Sequence, residues 1–147
     1  MFKPPGNARL KHTGLFQAAA FGAALLLVTA GVSRAQTGDD RAIWVEDAVV
    51  AKGIENLKPL DPGTEFEPDV GKLYFFTRIL SREFPLTVKH LWFQGDKFVM
   101  EINLPVKSGN WRTYSSKTIH PSSRGNWKVV ATTEDGTVLE TLTFTIH

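Results

Sequence analysis

The stretch KFVMEINLPV, residues 97–106, decides the fold class of this chain. Its apolar side chains recur at every second position on one face: Phe98, Met100, Ile102 and Leu104. The other face carries Val99, Glu101 and Asn103. A period of two residues is typical of a β-strand with one face against a core and the other in water. The stretch therefore predicts a half-buried strand.

The segments on either side repeat this pattern between short turns. Gln94-Gly95-Asp96 precedes the strand, Ser108-Gly109-Asn110 follows it, and a later turn has Asp135-Gly136 at its centre. Such turns are typical of hairpins. Further strands are predicted over residues 42–51, 73–80, 87–93, 111–119, 127–133 and 138–146. About seven strands, with turns roughly every 8–12 residues, favour an all-β, immunoglobulin-like β-sandwich over a small barrel.

In two segments the sequence pattern predicts the secondary structure less clearly. In residues 42–51 either alternate set fits a core, because Ile43 and Val45 share one face while Trp44 and Ala48 share the other. Residues 53–71 contain three prolines and three glycines, which predicts a long irregular connection between strands.

The N-terminus has the layout of a secretory signal. Positive charges at Lys3, Arg9 and Lys11 precede an uncharged apolar run over residues 15–31, and Ser33-Arg34-Ala35 supplies small residues for cleavage. We expect residues 1–35 to form a helical signal peptide, residues 36–41 a flexible leader, and residues 42–147 one β-sandwich domain. The alternative is an uncleaved membrane anchor, since about 17 uncharged residues lie at the lower limit of a membrane span.

Removal of this signal changes the charge balance of the chain. Of 17 basic residues, four lie in the first 35 residues, where no acid is found, so the mature chain has 13 bases, 15 acids and a net charge of −2. We therefore expect no nucleic-acid binding, because it needs a concentrated basic surface. The absence of cysteine excludes thiolate catalysis, iron–sulfur clusters and cysteine-ligated zinc.

The most unusual strand is the one over residues 111–117, WRTYSSK. Alternation groups Trp111, Thr113, Ser115 and Lys117 on one face and Arg112, Tyr114 and Ser116 on the other, and neither face is apolar. The strand is either a binding surface of cations, hydroxyls and aromatic rings, or a sheet edge protected by charge. Ser115 and Lys117 share a face, but nothing in the sequence marks an oxyanion hole beside them.

Histidine chemistry is the other candidate. His90 and Trp92 share a strand face, so His90 is either a titrating or binding group or a core histidine bonded to a neighbouring strand, with Trp92 as core filler. We expect no metal site, because His90, His120 and His147 lie far apart in sequence and no His-x-His or His-Glu-x-x-His pattern occurs.

From about residue 71 to 146 the chain resembles the bacterial domain-of-unknown-function 2914 family. The motifs that carry the resemblance are residues 74–77 (YFFT), 90–92 (HLW), 111–117 (WRTYSSK), 125–129 (GNWKV) and 136–139 (GTVL) with Phe144. The resemblance implies an extracytoplasmic all-β domain, often attached to membrane segments, with no established activity. It also implies a characteristic set of side chains: His90, Trp92, Trp111, Arg112, Ser116, Lys117 and Trp127.

These observations lead to one expectation of function and two alternatives. We expect an exported, non-catalytic binding module of the bacterial envelope that takes a glycan or a protein, is periplasmic or secreted, and needs no cofactor. If the signal is uncleaved, the domain is anchored to the inner membrane. The alternatives are a structural accessory domain, in which Arg112 pairs with an acid or caps a strand end and His90 bonds Ser116, and a small envelope hydrolase.

Overall fold

The computed structural model describes residues 41–147. The predicted signal peptide and all but the last residue of the predicted leader lie outside these residues. The described part contains nine strands: β1 (Ile43–Glu55), β2 (Lys58–Pro62), β3 (Glu65–Phe66), β4 (Lys72–Ser81), β5 (Leu86–Gln94), β6 (Lys97–Val106), β7 (Asn110–Thr118), β8 (Gly125–Thr133) and β9 (Val138–Ile146).

The strands form two sheets, with the order β2-β1-β4-β7 in one and β3-β9-β8-β5-β6 in the other. Neighbouring strands are antiparallel except β3 and β9, which are parallel. The inward side chains of both sheets meet in one core, so the described part is an all-β sandwich. Among these residues, no helix has the length and apolar character that a bilayer crossing requires.

The predicted irregular connection over residues 53–71 is wrong in part. It contains the end of β1, the whole of β2 and the two residues of β3. A tight turn at Asn56 and Leu57 joins β1 to β2, and both residues have positive φ, at 51° and 55°. Such turns are usually signalled by Asn-Gly. Because leucine takes the place of glycine here, the hairpin has no recognisable signal in the sequence.

A bulge explains why the faces of β1 are ambiguous in the sequence. The register of β1 with β4 shifts between Val45 and Asp47. Ile43 and Val45 pack on the core before the shift, and Ala48 and Val50 pack on it afterwards. One extra residue changes which alternate set points inward, so neither simple alternation describes the strand.

A second bulge corrects the prediction for Phe98. The register between β5 and β6 shifts at Trp92 and Phe93, so that Phe93 lies opposite Phe98 while Trp92 lies opposite Met100. Phe98 is 53% exposed and touches the Phe93 ring, with 5.8 Å between centroids. It does not share the core face with Met100.

Aromatic side chains fill much of the core. Trp127, Val129 and Ala131 are buried together, as the alternation in β8 predicts. The Trp127 indole stacks on Phe144 at 6.0 Å, and Trp92 meets the same ring edge-on at 6.2 Å. Aromatic pairs of this kind add roughly 0.5–1.5 kcal/mol beyond their burial. All three side chains belong to the five-stranded sheet, so these contacts stabilise the core side of that sheet.

Candidate functional site

Strand β7 is the edge of the four-stranded sheet and has two chemically different faces. It pairs with β4 on one side, in an unbroken register from Thr118 opposite Lys72 to Asn110 opposite Leu80. Ser115 points into the sandwich and is buried, whereas Arg112 and Tyr114 are exposed. The strand is therefore a sheet edge, and its polar residues divide between the core and the solvent.

On the inner face, His90 of β5 links the two sheets through hydrogen bonds. Its Nε2 lies 3.0 Å from Thr77 Oγ1 on β4, and its Nδ1 lies 2.8 Å from Ser115 Oγ on β7. The Trp92 indole N–H donates to the same Ser115 oxygen at 3.0 Å. All four side chains are buried. We call Thr77, His90, Trp92 and Ser115 the buried network.

Burial fixes the charge state of His90. Its ring is fully inaccessible to solvent, and desolvation lowers its pKa from 6.5 to about 3. The ring is neutral at physiological pH, so one nitrogen donates to a hydroxyl and the other accepts from one. Phe75 covers the ring, with 4.2 Å between centroids. Within residues 41–147 no buried side-chain polar atom lacks a partner.

The structure corrects the expected partner of His90. The bond runs to Ser115, not to Ser116. Adjacent residues of a strand point to opposite faces, and Ser115 has the inward parity. Ser115 faces Phe75 of β4, and Ser116 lies beside it opposite Tyr74 on the outer side. The partner of His90 is also on the opposite sheet, rather than on a neighbouring strand of its own sheet.

The three tryptophans of the predicted site contribute to the core. Trp92 and Trp127 are buried, and the Trp127 N–H donates to the Ser123 carbonyl at 2.9 Å. Trp111 is half-buried and packs against the core cluster. Trp92 and Trp127 therefore present no open face to a ligand, whereas Trp111 lines a surface pocket together with Asn110 and Arg112.

Nucleophilic and metal chemistry have little geometric support here. Ser115 is 4% exposed, and its oxygen already contacts His90 and Trp92, while Lys117 is half-buried two residues further along. No group of three His, Asp or Glu side chains suited to a metal ion occurs in the described residues. Asp135 serves a turn: its pKa is lowered, first of all by the hydrogen bond from the Thr133 hydroxyl and then by Thr137.

On the outer face, β4 and β7 place two arginines and two tyrosines side by side. Arg78 lies directly opposite Arg112, and the Tyr74 and Tyr114 rings meet edge-on at 5.9 Å. We call these four residues the arginine–tyrosine face. Asn110 accepts a hydrogen bond from Arg78 Nε at 3.0 Å and so orients that guanidinium.

The arginine–tyrosine face has an unbalanced charge. Like charges directly opposite on paired strands are destabilising. No ion pair with a described carboxylate forms at Arg78 or Arg112. Asp47 of β1 faces Arg78 by register on the other side of β4, yet its carboxylate makes no ion pair there. Neither guanidinium group is therefore neutralised by a carboxylate of the described residues.

Sequence reasoning missed Tyr74 and Arg78 as site residues. Both lie at alternate positions of a largely apolar strand, where an inward or an outward face is equally compatible with the pattern. Only the register of β4 with β7 brings them beside Tyr114 and Arg112. The eight predicted residues divide accordingly: His90, Trp92, Ser115 and Trp127 are internal, Arg112 is exposed, and Trp111, Ser116 and Lys117 are half-buried.

Comparison with known proteins confirms the resemblance over part of its expected length. Residues 85–146 match the family model described as protein of unknown function DUF2914. The expected motif at residues 74–77 lies before this segment. No curated protein matches the chain.

Two solved structures show distant similarity. One is a mutant β-glucosidase from Listeria innocua in complex with laminaribiose, with 6% identity and a TM-score of 0.42 over 71% of this chain and 16% of that one. The other is a β-glucosidase from Bifidobacterium adolescentis, with 11% identity and a TM-score of 0.41 over 71% and 17%. This chain thus covers about a sixth of the length of either.

Proposed function

We propose that this chain is an exported, non-catalytic binding module of the bacterial envelope and that it holds a glycan or a protein through the arginine–tyrosine face. The observation that carries the proposal is the directly opposed Arg78–Arg112 pair, which has no carboxylate partner among the described residues. A stable domain gains nothing from this arrangement by itself. An anionic group supplied by a partner makes it favourable through charge-assisted hydrogen bonds.

The non-catalytic part of the proposal rests on where the reactive groups lie. His90 and Ser115, the best candidates for base and nucleophile, are buried and bonded to each other. A general base must reach the proton that it removes. The desolvated His90 has a pKa of about 3, well below the range that suits a general base at neutral pH.

The finer fold and the location belong to the same proposal. The sheet order fits an immunoglobulin-like sandwich if β1, β4 and β7 are taken as strands A, B and E, and β9, β8, β5 and β6 as G, F, C and C′. The charge layout of residues 1–35 supports export to the periplasm or beyond, with an inner-membrane anchor as the alternative. N-terminal sequencing of the fractionated protein distinguishes a cleaved signal from an anchor.

Photo-crosslinking in the producing bacterium tests the binding face. We replace Tyr114, which is 40% exposed on the arginine–tyrosine face, with p-benzoylphenylalanine. The matched control carries the same group at Phe98, which is 53% exposed on the other sheet. We expect a discrete adduct from position 114 and none from position 98. Absence of an adduct from position 114, or equal labelling from both, contradicts the proposal.

A structural accessory domain is the second candidate, and the buried network favours it. That network spans both sheets and satisfies every one of its polar side chains. On this alternative the outer face binds no ligand, and the variant Arg112→Ala lowers the thermal stability of the domain. The crosslinking comparison separates the two candidates.

A further inference from the structure

Strand β7 is a long, regular sheet edge. It has nine residues, contains no proline, and keeps an unbroken register with β4. Within residues 41–147, no strand pairs with its second edge. An edge of this length presents a row of backbone N–H and C=O groups that a further strand can pair with.

The other sheet edges carry the usual protections against such pairing. Strand β2 has five residues, with prolines at 59 and 62 and a positive φ at Asp61, and β3 has only two residues. Strand β6 contains Pro105 and is distorted by the bulge opposite Trp92 and Phe93. Strand β9 is paired by β3 only at Thr145 and Ile146. Strand β7 differs from the other edges in carrying the cations Arg112 and Lys117 along a regular strand that has no proline or bulge.

The side chains around β7 determine the charge of an added strand. Arg112 and Lys117 lie on β7 itself, and Arg78 lies behind Arg112 on β4. The nearest acid by register is Asp47, one strand further away than Arg78. A basic segment is therefore repelled at this edge, while an acidic one is attracted.

We propose that β7 takes up an extended acidic peptide segment of a partner protein as an additional strand. This inference rests on the proposed binding function and names the partner class. A strand added at about 4.8 Å from β7 places every second side chain on the outer side, in line with Arg112 and Tyr114. A carboxylate there pairs with the Arg112 guanidinium, and the Tyr114 ring covers the neighbouring residue.

Arg78 strengthens the site without contacting the peptide backbone. Its Nε donates to Asn110 Oδ1 at 3.0 Å, and no described carboxylate forms an ion pair with its guanidinium group. Two guanidinium groups in opposition favour a peptide with carboxylates at alternate positions over one with a single acid. Main-chain pairing supplies affinity, and the spacing of the carboxylates supplies selectivity.

The test measures binding of a synthetic peptide to the purified mature chain. The probe is a fluorescein-labelled octapeptide of alternating glutamate and threonine, followed by fluorescence anisotropy. One control peptide has lysine in place of glutamate. A second keeps the glutamates but is N-methylated at every second residue, which removes backbone donors and leaves the charge unchanged. We expect the acidic probe to bind, and both controls to bind at least about tenfold more weakly.

Protein variants locate the contact. Arg112→Glu and Arg78→Glu should each weaken binding of the acidic probe by about tenfold or more. The matched control is Lys97→Glu, which reverses an exposed cation on the edge strand β6 of the other sheet. It should change the affinity less than about twofold. Thermal melting of every variant ensures that the folded proteins are compared.

Several outcomes overturn the inference. Equal binding of the N-methylated peptide shows that the contact is electrostatic and not strand addition. An equal loss of affinity in Lys97→Glu shows that the peptide does not bind at β7. A concentration-dependent dimer in analytical ultracentrifugation, lost in Tyr114→Pro, assigns the edge to a second copy. If no peptide binds while the Tyr114 crosslink forms, on a glycan for example, this inference fails and the proposed function stands. If neither is seen, both fail.

Discussion

The two faces of β7 differ in what their side chains do. On the inner face, the Ser115 hydroxyl joins His90 and Trp92 in a closed set of hydrogen bonds. On the outer face, three residues earlier in the strand, Arg112 lies opposite Arg78 with no carboxylate of the described chain to neutralise it. The buried polar groups on the inner face all have hydrogen-bond partners, whereas the cations on the outer face have no anionic partner among the described residues. A mutation on the inner face should therefore affect stability, and one on the outer face should affect binding.

The largest expected effect is that of Ser115→Ala on stability. The change leaves a ring nitrogen of His90 and the Trp92 N–H without their partner in the core. Each unsatisfied buried group costs about 1–3 kcal/mol, so with two such groups we expect the free energy of unfolding to fall by about 2–6 kcal/mol. Urea denaturation followed by tryptophan fluorescence measures it.

Its control is Ser116→Ala, on the adjacent residue with the outward parity. This serine contacts none of the network, so the change should alter stability by less than about 0.5 kcal/mol. Equal destabilisation by both substitutions would show that the parity of the strand does not separate the two roles.

The acid dependence of stability is the next largest effect. The pKa of His90 is about 3 in the folded chain and 6.5 for an unburied ring. Between these two values His90 is protonated in the unfolded chain and neutral in the folded chain. The contribution of His90 to stability is complete above pH 6.5 and falls as the pH drops toward 3. The slope approaches about 1.4 kcal/mol per pH unit.

Subtracting the stability profile of His90→Leu isolates this effect from the carboxylates, which also titrate in acid. The difference between wild type and variant should shrink steadily from pH 7 to pH 4. A constant difference over that range would mean that His90 is protonated in the fold or reaches solvent.

A smaller effect is the coupling between Thr77 and His90 across the core. Removing one partner leaves the other buried without a hydrogen bond, whereas replacing both by apolar groups leaves no unsatisfied polar group. In a double-mutant cycle of Thr77→Val and His90→Leu, we expect a coupling energy of about 1 kcal/mol. Additive effects would contradict the 3.0 Å contact between their side chains.

The smallest expected stability effect is that of Arg112→Ala. Because the residue is exposed and faces another arginine, its loss should change the free energy of unfolding by less than about 0.5 kcal/mol, with no net destabilisation. Chemical denaturation checks this value. A loss of more than about 1 kcal/mol would indicate that Arg112 has the structural role of the alternative hypothesis.

Local periodicity predicted most of the strands. Strands β6 and β9 occupy the predicted ranges 97–106 and 138–146, because their turns carry glycine or a clear polar break. Bulges were not predictable, since one extra residue in β1 or β6 leaves no mark in composition. The β1–β2 hairpin was missed for a related reason: its turn places Leu57 at a positive φ where glycine is usual.

The site was less predictable than the fold. His90 and Ser115 are 25 residues apart, and they meet because β5 and β7 lie in different sheets that pack face to face. Period-two patterns assign a residue to a face of its own strand and give no information about what covers that face. The polar composition of residues 111–117 did identify β7 as unusual, and the structure divides its residues between the two faces.

The most direct test of this division measures two quantities on two variants, Ser115→Ala and Arg112→Ala. The quantities are the free energy of unfolding and the affinity for the alternating glutamate–threonine peptide at a temperature where both variants are folded. We predict that Ser115→Ala loses stability and keeps its affinity, while Arg112→Ala keeps its stability and loses affinity. Loss of stability in Arg112→Ala with unchanged peptide binding would contradict the account.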